Sequence, residues 1–232
     1  MKLATSAWLR RADVRTAGDA ALVAMVGEFV SRVSDAAFPC PFAAGAISRD
    51  ELVFASVRDL AQPVPAVASR ITELTRLIAE RPMTVGALFV THPGAGDVAE
   101  ETAFVTELLD HLADPETTDW PAAAPRDRRD PRWSLWVRGV ELFMNVSSPG
   151  HGPRRSRNLG RAVTLLVQWR GAFDDYPAGH PVRQSIRRRV EAYDGIPPHP
   201  ALGAFGDEDN HEADQYYLGP GNGVTHHLER RP

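Results

Sequence analysis

The residues with the most chemistry to offer are Phe38-Pro39-Cys40-Pro41-Phe42-Ala43. Cys40 is the only cysteine among 232 residues, which excludes an intrachain disulfide and any zinc site of several cysteines. Whatever it does, it does as a lone thiolate. Pro41 restricts Cys40 to extended backbone and itself suits the first position of a helical turn. Cys40 then falls at or near an N-cap, with the N–H groups of Ala43 and Ala44 expected to point at its sulfur. Such donors and the local dipole stabilise a thiolate. Phe38 and Phe42 would wall the sulfur on either side. Three readings fit these residues: a buried small hydrophobe, a reactive nucleophile, and an axial ligand to haem iron. In the last, burial protects the sulfur and N–H bonds tune its electron donation.

A second constellation is Pro153-Arg154-Arg155-Ser156-Arg157-Asn158-Leu159-Gly160. Arginines this close together can clamp carboxylates or phosphates through paired N–H donors, or can be solvated loop charges. Arg170, in Gln168-Trp169-Arg170, is a weaker candidate for the same site. Ser156 has no evident His and Asp partners, which argues against a serine hydrolase. The eight histidines show no metal-ligand spacing within one helix. His92 and His151 are the two that could border a pocket, although a surface histidine is the ordinary case. His226 and His227 fall in a tail.

The elements that must position these residues follow from periodicity. Leu22, Met25, Val26, Phe29, Val30 and Val33 form one helical stripe ahead of Cys40. Residues 51–57 read as a strand, Val67 to Ile78 as a second helix stopped by Pro82, and 85–90 as a buried strand. Phe104 to Leu112 make a third helix. Residues 114–132 read as a long loop with four prolines. Trp133 to Val146 reads as a hairpin turning at Arg138-Gly139. Val163, Leu165, Val167 and Trp169 alternate as a further strand. A last helix around Val182–Tyr193 carries Arg183, Arg187, Arg188 and Arg189 on its outer face, and one short helix falls within 207–217. The expected fold is a single α+β domain: a mainly antiparallel or mixed sheet of about five strands flanked by helices. Regular βαβ alternation and G-x-G-x-x-G are absent, which argues against a dinucleotide fold.

Composition is that of an ordinary soluble globular chain: 43% hydrophobic, 24% charged. The 26 basic residues, of which only Lys2 is lysine, against 30 acidic give a net charge of −4, so nothing points to nucleic acid. No apolar run is long enough for a signal peptide or a membrane span, and a cytoplasmic protein is expected.

Taken together, the motifs resemble the YqcI/YcgG family, which includes haem-dependent N-hydroxylases of amino-acid and guanidine substrates. The resemblance covers residues 20–222, leaving an N-terminal extension (1–19) and a C-terminal tail (223–232). It is carried by FPCPFA (38–43), ELVFASV (51–57), DPRWSLWVRGVELFMNV (130–146), RRSRNLG (154–160), LLVQWR (165–170), YDGIPPHPALGAFGDEDN (193–210) and DQYYL (214–218). The sequence departs from the family pattern at Val105, Trp169 and Ala213, none of which touches Cys40 or the arginine loop. The resemblance implies haem b with Cys40 as the iron's axial ligand, and O2 activated to hydroxylate a nitrogen of a small amine, amino acid or guanidine. Phe38 and Phe42 would flank the cofactor, and Arg154, Arg155 and Arg157 are candidates for its propionates. Three arginines exceed what two carboxylates need, so one of them would be structural. Electrons would come from a separate reductase or ferredoxin, since the chain shows no flavin or nicotinamide motif. A substrate guanidinium would need a carboxylate or an aromatic face, with Asp97, Glu100, Glu101 and Glu141 in view as the carboxylate. The alternatives are a haem-binding sensor, carrier or peroxide-handling protein without oxygenase turnover, and a thiol enzyme or binding module without haem.

Overall fold

The computed structural model describes residues 7–58, 62–92, 94–114, 118–173 and 180–221. The tail at 223–232, with His226 and His227, lies outside the described residues. In chain order the elements are β1 (Leu9–Arg10), α1 (Arg11–Val14), α2 (Ala20–Val33), α3 (Pro41–Ser48), β2 (Leu52–Val57), α4 (Pro63–Glu80) and β3 (Val85–Val90). Then follow α5 (Val98–Leu112), β4 (Leu135–Val137), β5 (Val140–Ser147), β6 (Val163–Trp169), α6 (His180–Asp194) and α7 (Glu212–Tyr216).

Six strands form one mixed sheet in the order β1-β2-β3-β6-β5-β4. β2 and β3 are parallel, because α4 carries the chain back to the starting edge between them. The other pairs are antiparallel. The sixth strand is β1, which pairs Leu9 with Phe54 and Arg10 with Val53. Two residues are too few for alternation to announce them. The hairpin turns at Arg138 (φ 50°) and Gly139 (φ 72°), both in the left-handed region that a two-residue type I′ turn requires.

Helix ends follow local chemistry. The Asp19 carboxylate caps α2 by accepting from the N–H groups of Ala21 and Leu22, each at 3.1 Å. Asp97 caps α5 in the same way through Ala99 and Glu100. α3 begins with Pro41 in its first turn and Cys40 at the N-cap, as Pro41 implied.

Strand alternation divides the interior into two cores. Val53, Ala55, Val57, Leu88, Val90, Leu165 and Val167 face α4 and α5, where Ile71, Leu74, Leu108 and Leu109 are fully buried. Leu52, Phe54, Ala87 and Phe89 face the opposite way, onto the stripe of α2. Phe29 meets Phe54 and Phe89 edge-on at 5.9 and 6.1 Å. All six residues of β2 are buried because both its faces are covered. Among the described residues no helix is long and apolar enough to cross a membrane.

Candidate functional site

On the α2 side of the sheet, toward β5 and β6, helices do not fill the space. A cavity of about 320 Å3 remains, a size suited to a small molecule or cofactor. Its floor is the sheet, through Asn145 and Ser147 of β5 and Leu166 and Gln168 of β6. α6 closes another side with Ile186, Val190 and Asp194. Phe38, Cys40 and Phe42 form a third wall, and Arg154 and Arg157 stand in a fourth. Cys40 thus carries open surface although protein surrounds it, because that surface faces the cavity.

The environment of Cys40 is set by the start of α3. Burial pushes its thiol up. The N–H groups of Phe42 and Ala43 and the guanidiniums of Arg189 and Arg157 oppose this. These are the second and third helical positions, because Pro41 occupies the first. The expected donors, Ala43 and Ala44, are therefore displaced by one residue. The sulfur makes no regular side-chain cap bond to them. A thiol raised by burial is a poor free nucleophile; binding a cation or a metal would displace its proton. Phe38 is buried and meets Tyr193 edge-on at 5.8 Å. Arg189 fixes the preceding backbone by donating to the carbonyls of Phe38 (2.7 Å) and Pro39 (3.2 Å).

The three loop arginines go to three different fates. Arg154 is 1% exposed and donates to the backbone carbonyls of Gly219 (3.1 Å), Pro197 (3.3 Å) and Gly221 (3.1 Å). It ties the loop to the C-terminal segment. Arg155 is exposed, lies 4.7 Å over the Tyr193 ring and donates to the Tyr193 carbonyl. It does not reach the cavity. Arg157 lies on the cavity wall, and its Nη1 is buried without a hydrogen-bond partner. Burial, with Arg154 nearby, lowers its pKa to about 10, while Asp194 and Cys40 favour its charge. A buried cation without a bonded partner is costly unless a ligand supplies one.

Asp194, which the sequence reading did not single out, is the acidic side chain on the wall. It accepts from the Ser156 N–H (2.7 Å) and Oγ (2.8 Å), so it locks α6 to the arginine loop. Its signal was its place in the YDGIPPHP stretch. The four carboxylates in view from the sequence lie elsewhere. Asp97 is a cap. Glu100 is exposed in the first turn of α5. Glu141 accepts from Ser134 at 2.6 Å. Glu101 is buried, bonded to Ser148 and to the Tyr217 hydroxyl (2.7 Å). His151 joins that cluster through Ser148 Oγ at 3.0 Å, and burial lowers its pKa to about 3, leaving it neutral. His92 packs on Phe104 at 4.9 Å. Arg170 does not join the site. β6 ends at Trp169, and the turn that follows aims Arg170 over the Phe205 ring at 3.4 Å, with Glu141 at 3.8 Å.

Among the described residues no group of three His, Cys, Asp or Glu side chains is arranged to hold a metal ion. A single thiolate under a macrocycle is a different arrangement, in which the macrocycle brings the other ligands.

A profile of the YqcI/YcgG family matches residues 29–226, which span the cavity and all its walls. The chain belongs to the YqcI/YcgG family. It is 33% identical over 193 residues to a Streptomyces lavendulae protein named "Putative N(omega)-hydroxy-L-arginine synthase DcsA". That match covers 77% of this chain and 72% of DcsA. It is 29% identical to the uncharacterized YqcI of Bacillus subtilis strain 168 over 192 residues, 78% of this chain and 75% of YqcI. It is 36% identical to the uncharacterized YcgG of the same strain over 116 residues, 48% of this chain and 45% of YcgG. No solved structure matches. For this YqcI/YcgG family member, the cavity at Cys40 is where an apolar enclosure, a thiol and an unsatisfied cation meet.

Proposed function

We propose that the chain holds haem b on Cys40 and N-hydroxylates a small amine, amino acid or guanidine, using O2 and electrons from a separate reductase or ferredoxin. The observation that carries this reading is the Cys40 thiol opening on an apolar cavity whose wall also holds the partnerless Arg157 Nη1. The residues fit the group: one sulfur ligand, apolar walls for a flat macrocycle, and a guanidinium for its carboxylates. The likeness to DcsA supports a guanidine-bearing substrate.

Haem, when bound, would supply activation of O2 under thiolate donation. The protein's own contributions follow from the geometry. Cys40 gives up its proton to become a ligand, and the Phe42 and Ala43 N–H groups hold part of the charge that the sulfur then carries. Arg157 holds a carboxylate, which also relieves its own burial. Arg154 positions the loop by its three carbonyl bonds, and Asp194 fixes Ser156, so Arg157 keeps its aim. Phe38 and Phe42 keep water from the sulfur. Arg154, spent on backbone carbonyls, and Arg155, turned onto Tyr193, are both structural, which leaves Arg157 for the carboxylate. The reaction balances as one substrate N–H becoming N–OH, with two electrons and two protons converting the second oxygen of O2 to water.

The test is the visible spectrum of protein expressed with haem precursor, beside Cys40→Ala. The expected result is a Soret band that the variant loses or shifts. A coloured variant with an unchanged spectrum moves the ligand elsewhere. A colourless wild type whose Cys40 alkylates rapidly returns the site to thiol chemistry. Coloured protein is then given O2, a reductase and a panel of amines that includes L-arginine, and products are weighed by mass spectrometry. An added oxygen is expected on one of them. No product from any would leave a haem protein without oxygenase turnover.

A further inference from the structure

The cavity at Cys40 has a smaller neighbour. A chamber of about 50 Å3 adjoins it, bounded by α3, the starts of β2 and β3, and the turn after β6. Phe42, Ala46, Val85, Gln168 and Phe173 line both spaces, so they mark the junction. Gln168 is the polar side chain of that set, and its carboxamide has no side-chain hydrogen bond among the described residues. The register fixes its aim. Gln168 pairs with Val85 and Val85 with Leu52, so their side chains form a row on the cavity face of the sheet. Beyond the junction the chamber wall carries a charged pair, Arg49 and Glu51. Arg49 donates to both carboxylate oxygens of Glu51, from Nε at 2.7 Å and from Nη2 at 2.9 Å. The Arg49 side chain is 52% exposed and that of Glu51 13%, so the pair stands where the chamber meets solvent. Backbone bonds hold Glu51 in place: its N–H donates to the Ala46 carbonyl at 3.0 Å, and its carbonyl accepts from the Val85 N–H at 2.9 Å. Arg49 folds back over α3 at Gly45, where a Cβ would lie 2.8 Å from Nη1.

A guanidinium beside a carboxylate complements the α-carboxylate and α-ammonium of a free amino acid. An exposed ion pair is weakly held in water, so a zwitterion carrying the same charges can exchange with it. A chamber of about 50 Å3 suits such a head group rather than a longer chain. The other end of the ligand then meets Gln168, whose carboxamide oxygen accepts N–H groups, and the rings of Phe42 and Phe173. A guanidinium suits that junction better than an ammonium does. It is planar, stacks on aromatic faces and is more weakly hydrated, so it enters apolar surroundings more readily. Gln168 stands two strand spacings, about 10 Å, from the start of β2, a span that a long-chain amino acid covers. We propose that the small chamber is the head-group site for a free amino acid with a guanidine side chain. Arg49 takes the α-carboxylate, Glu51 takes the α-ammonium, and Gln168 receives the guanidinium where it enters the cavity beside Cys40. Asp194, the acid of the main cavity wall, is already bound to Ser156 through both oxygens. The assignment rests on reading the Cys40 cavity as the place of N-hydroxylation, and it narrows the substrate there from amines in general to guanidino acids.

The test is calorimetric titration of the full chain, expressed with haem precursor, with L-arginine, L-lysine and agmatine. L-arginine carries all three groups, L-lysine has an ammonium in place of the guanidine, and agmatine lacks the carboxylate. Wild type is expected to bind L-arginine roughly tenfold or more tightly than either of the others. Arg49→Met is expected to weaken L-arginine roughly tenfold and agmatine less than about threefold, because agmatine has no carboxylate to lose its partner. Glu51→Gln is expected to weaken both. Gln168→Met is expected to erase most of the preference for L-arginine over L-lysine. Arg129→Met removes an exposed pair of the same kind, with Asp127, that lines neither space, and is expected to leave all three affinities unchanged. Thermal midpoints confirm that the variants fold. The proposal is overturned if Arg49→Met binds L-arginine like wild type, or if it weakens L-arginine and agmatine alike. It is also overturned if wild type binds L-lysine as tightly as L-arginine. Colour separates the two readings. Coloured protein that does not bind L-arginine sinks the head-group site alone, whereas colourless protein that binds it through Arg49 and Glu51 sinks the haem reading and keeps the site.

Discussion

The two faces of the sheet carry the same alternation of side chains and end in different states. Beneath α4 and α5 the face is closed, with Ile71, Leu74, Leu108 and Leu109 fully buried against the strands. On the opposite face α2 covers β2 and β3, but toward β5 and β6 the walls stand back from Asn145 and Gln168 and leave about 320 Å3. The closed face converts every apolar side chain into buried area. The open face keeps a thiol and a guanidinium facing the space instead. Stability is concentrated on one side and unsatisfied chemistry on the other, as expected where a site trades stability for function.

The largest way to break this contrast is by truncation on each face. Leu108→Ala is expected to cost about 4 kcal/mol, because it opens a hole in packed surroundings. Cys40→Ala borders existing space and is expected to cost under about 1 kcal/mol in the ligand-free protein. Urea unfolding of both checks it, and equal losses would erase the distinction.

Next is a pH effect away from the cavity. Burial raises Glu212 from 4.5 to about 7, with Glu141 adding to the rise and Arg170 opposing it. The folded state therefore holds that proton more tightly than the unfolded chain. The associated stability is full below pH 4.5 and is lost as pH rises through about 7. The size is about 3 kcal/mol. Glu212→Gln should flatten the slope of unfolding free energy over that window. A slope unchanged by the substitution would place the proton elsewhere.

The smallest and sharpest contrast lies within the arginine loop. Arg154→Met leaves the carbonyls of Pro197, Gly219 and Gly221 without their donor and is expected to cost about 2 kcal/mol. Arg157→Met removes a partnerless buried cation and is expected to stabilise the ligand-free protein by about 1 kcal/mol. The same change should weaken haem retention, read by the rate of transfer to apomyoglobin. If both arginines destabilise alike on removal, Arg157 is structural too.

Much of the fold was legible in the residues. The stripe of α2, the strands Leu52–Val57 and Val85–Val90, and the hairpin turn at Arg138-Gly139 all rest on local rules that hold wherever the segment ends up. The candidate site was legible only in part. Cys40 at an N-cap followed from Pro41, and Phe38 and Phe42 line the same cavity as Cys40. The donors were misplaced by one because an N-cap side chain faces the second and third helical N–H groups, here Phe42 and Ala43, and not the third and fourth. Arg170 was misassigned because the turn after Trp169 re-aims it, and Asp194 was passed over because an acid near a helix end looks like any other.

By itself, then, the chain's order of residues determined the periodic elements, the extended backbone at Cys40 and the presence of three nearby guanidiniums. Tertiary structure alone decided which guanidinium stays unsatisfied. Arg154 finds its carbonyls 43 to 67 residues away and Arg155 finds Tyr193 38 residues away, whereas Nη1 of Arg157 finds no partner. Hydrogen-bond partners that distant are brought together only by the folded sheet and helices, and no local pattern encodes them.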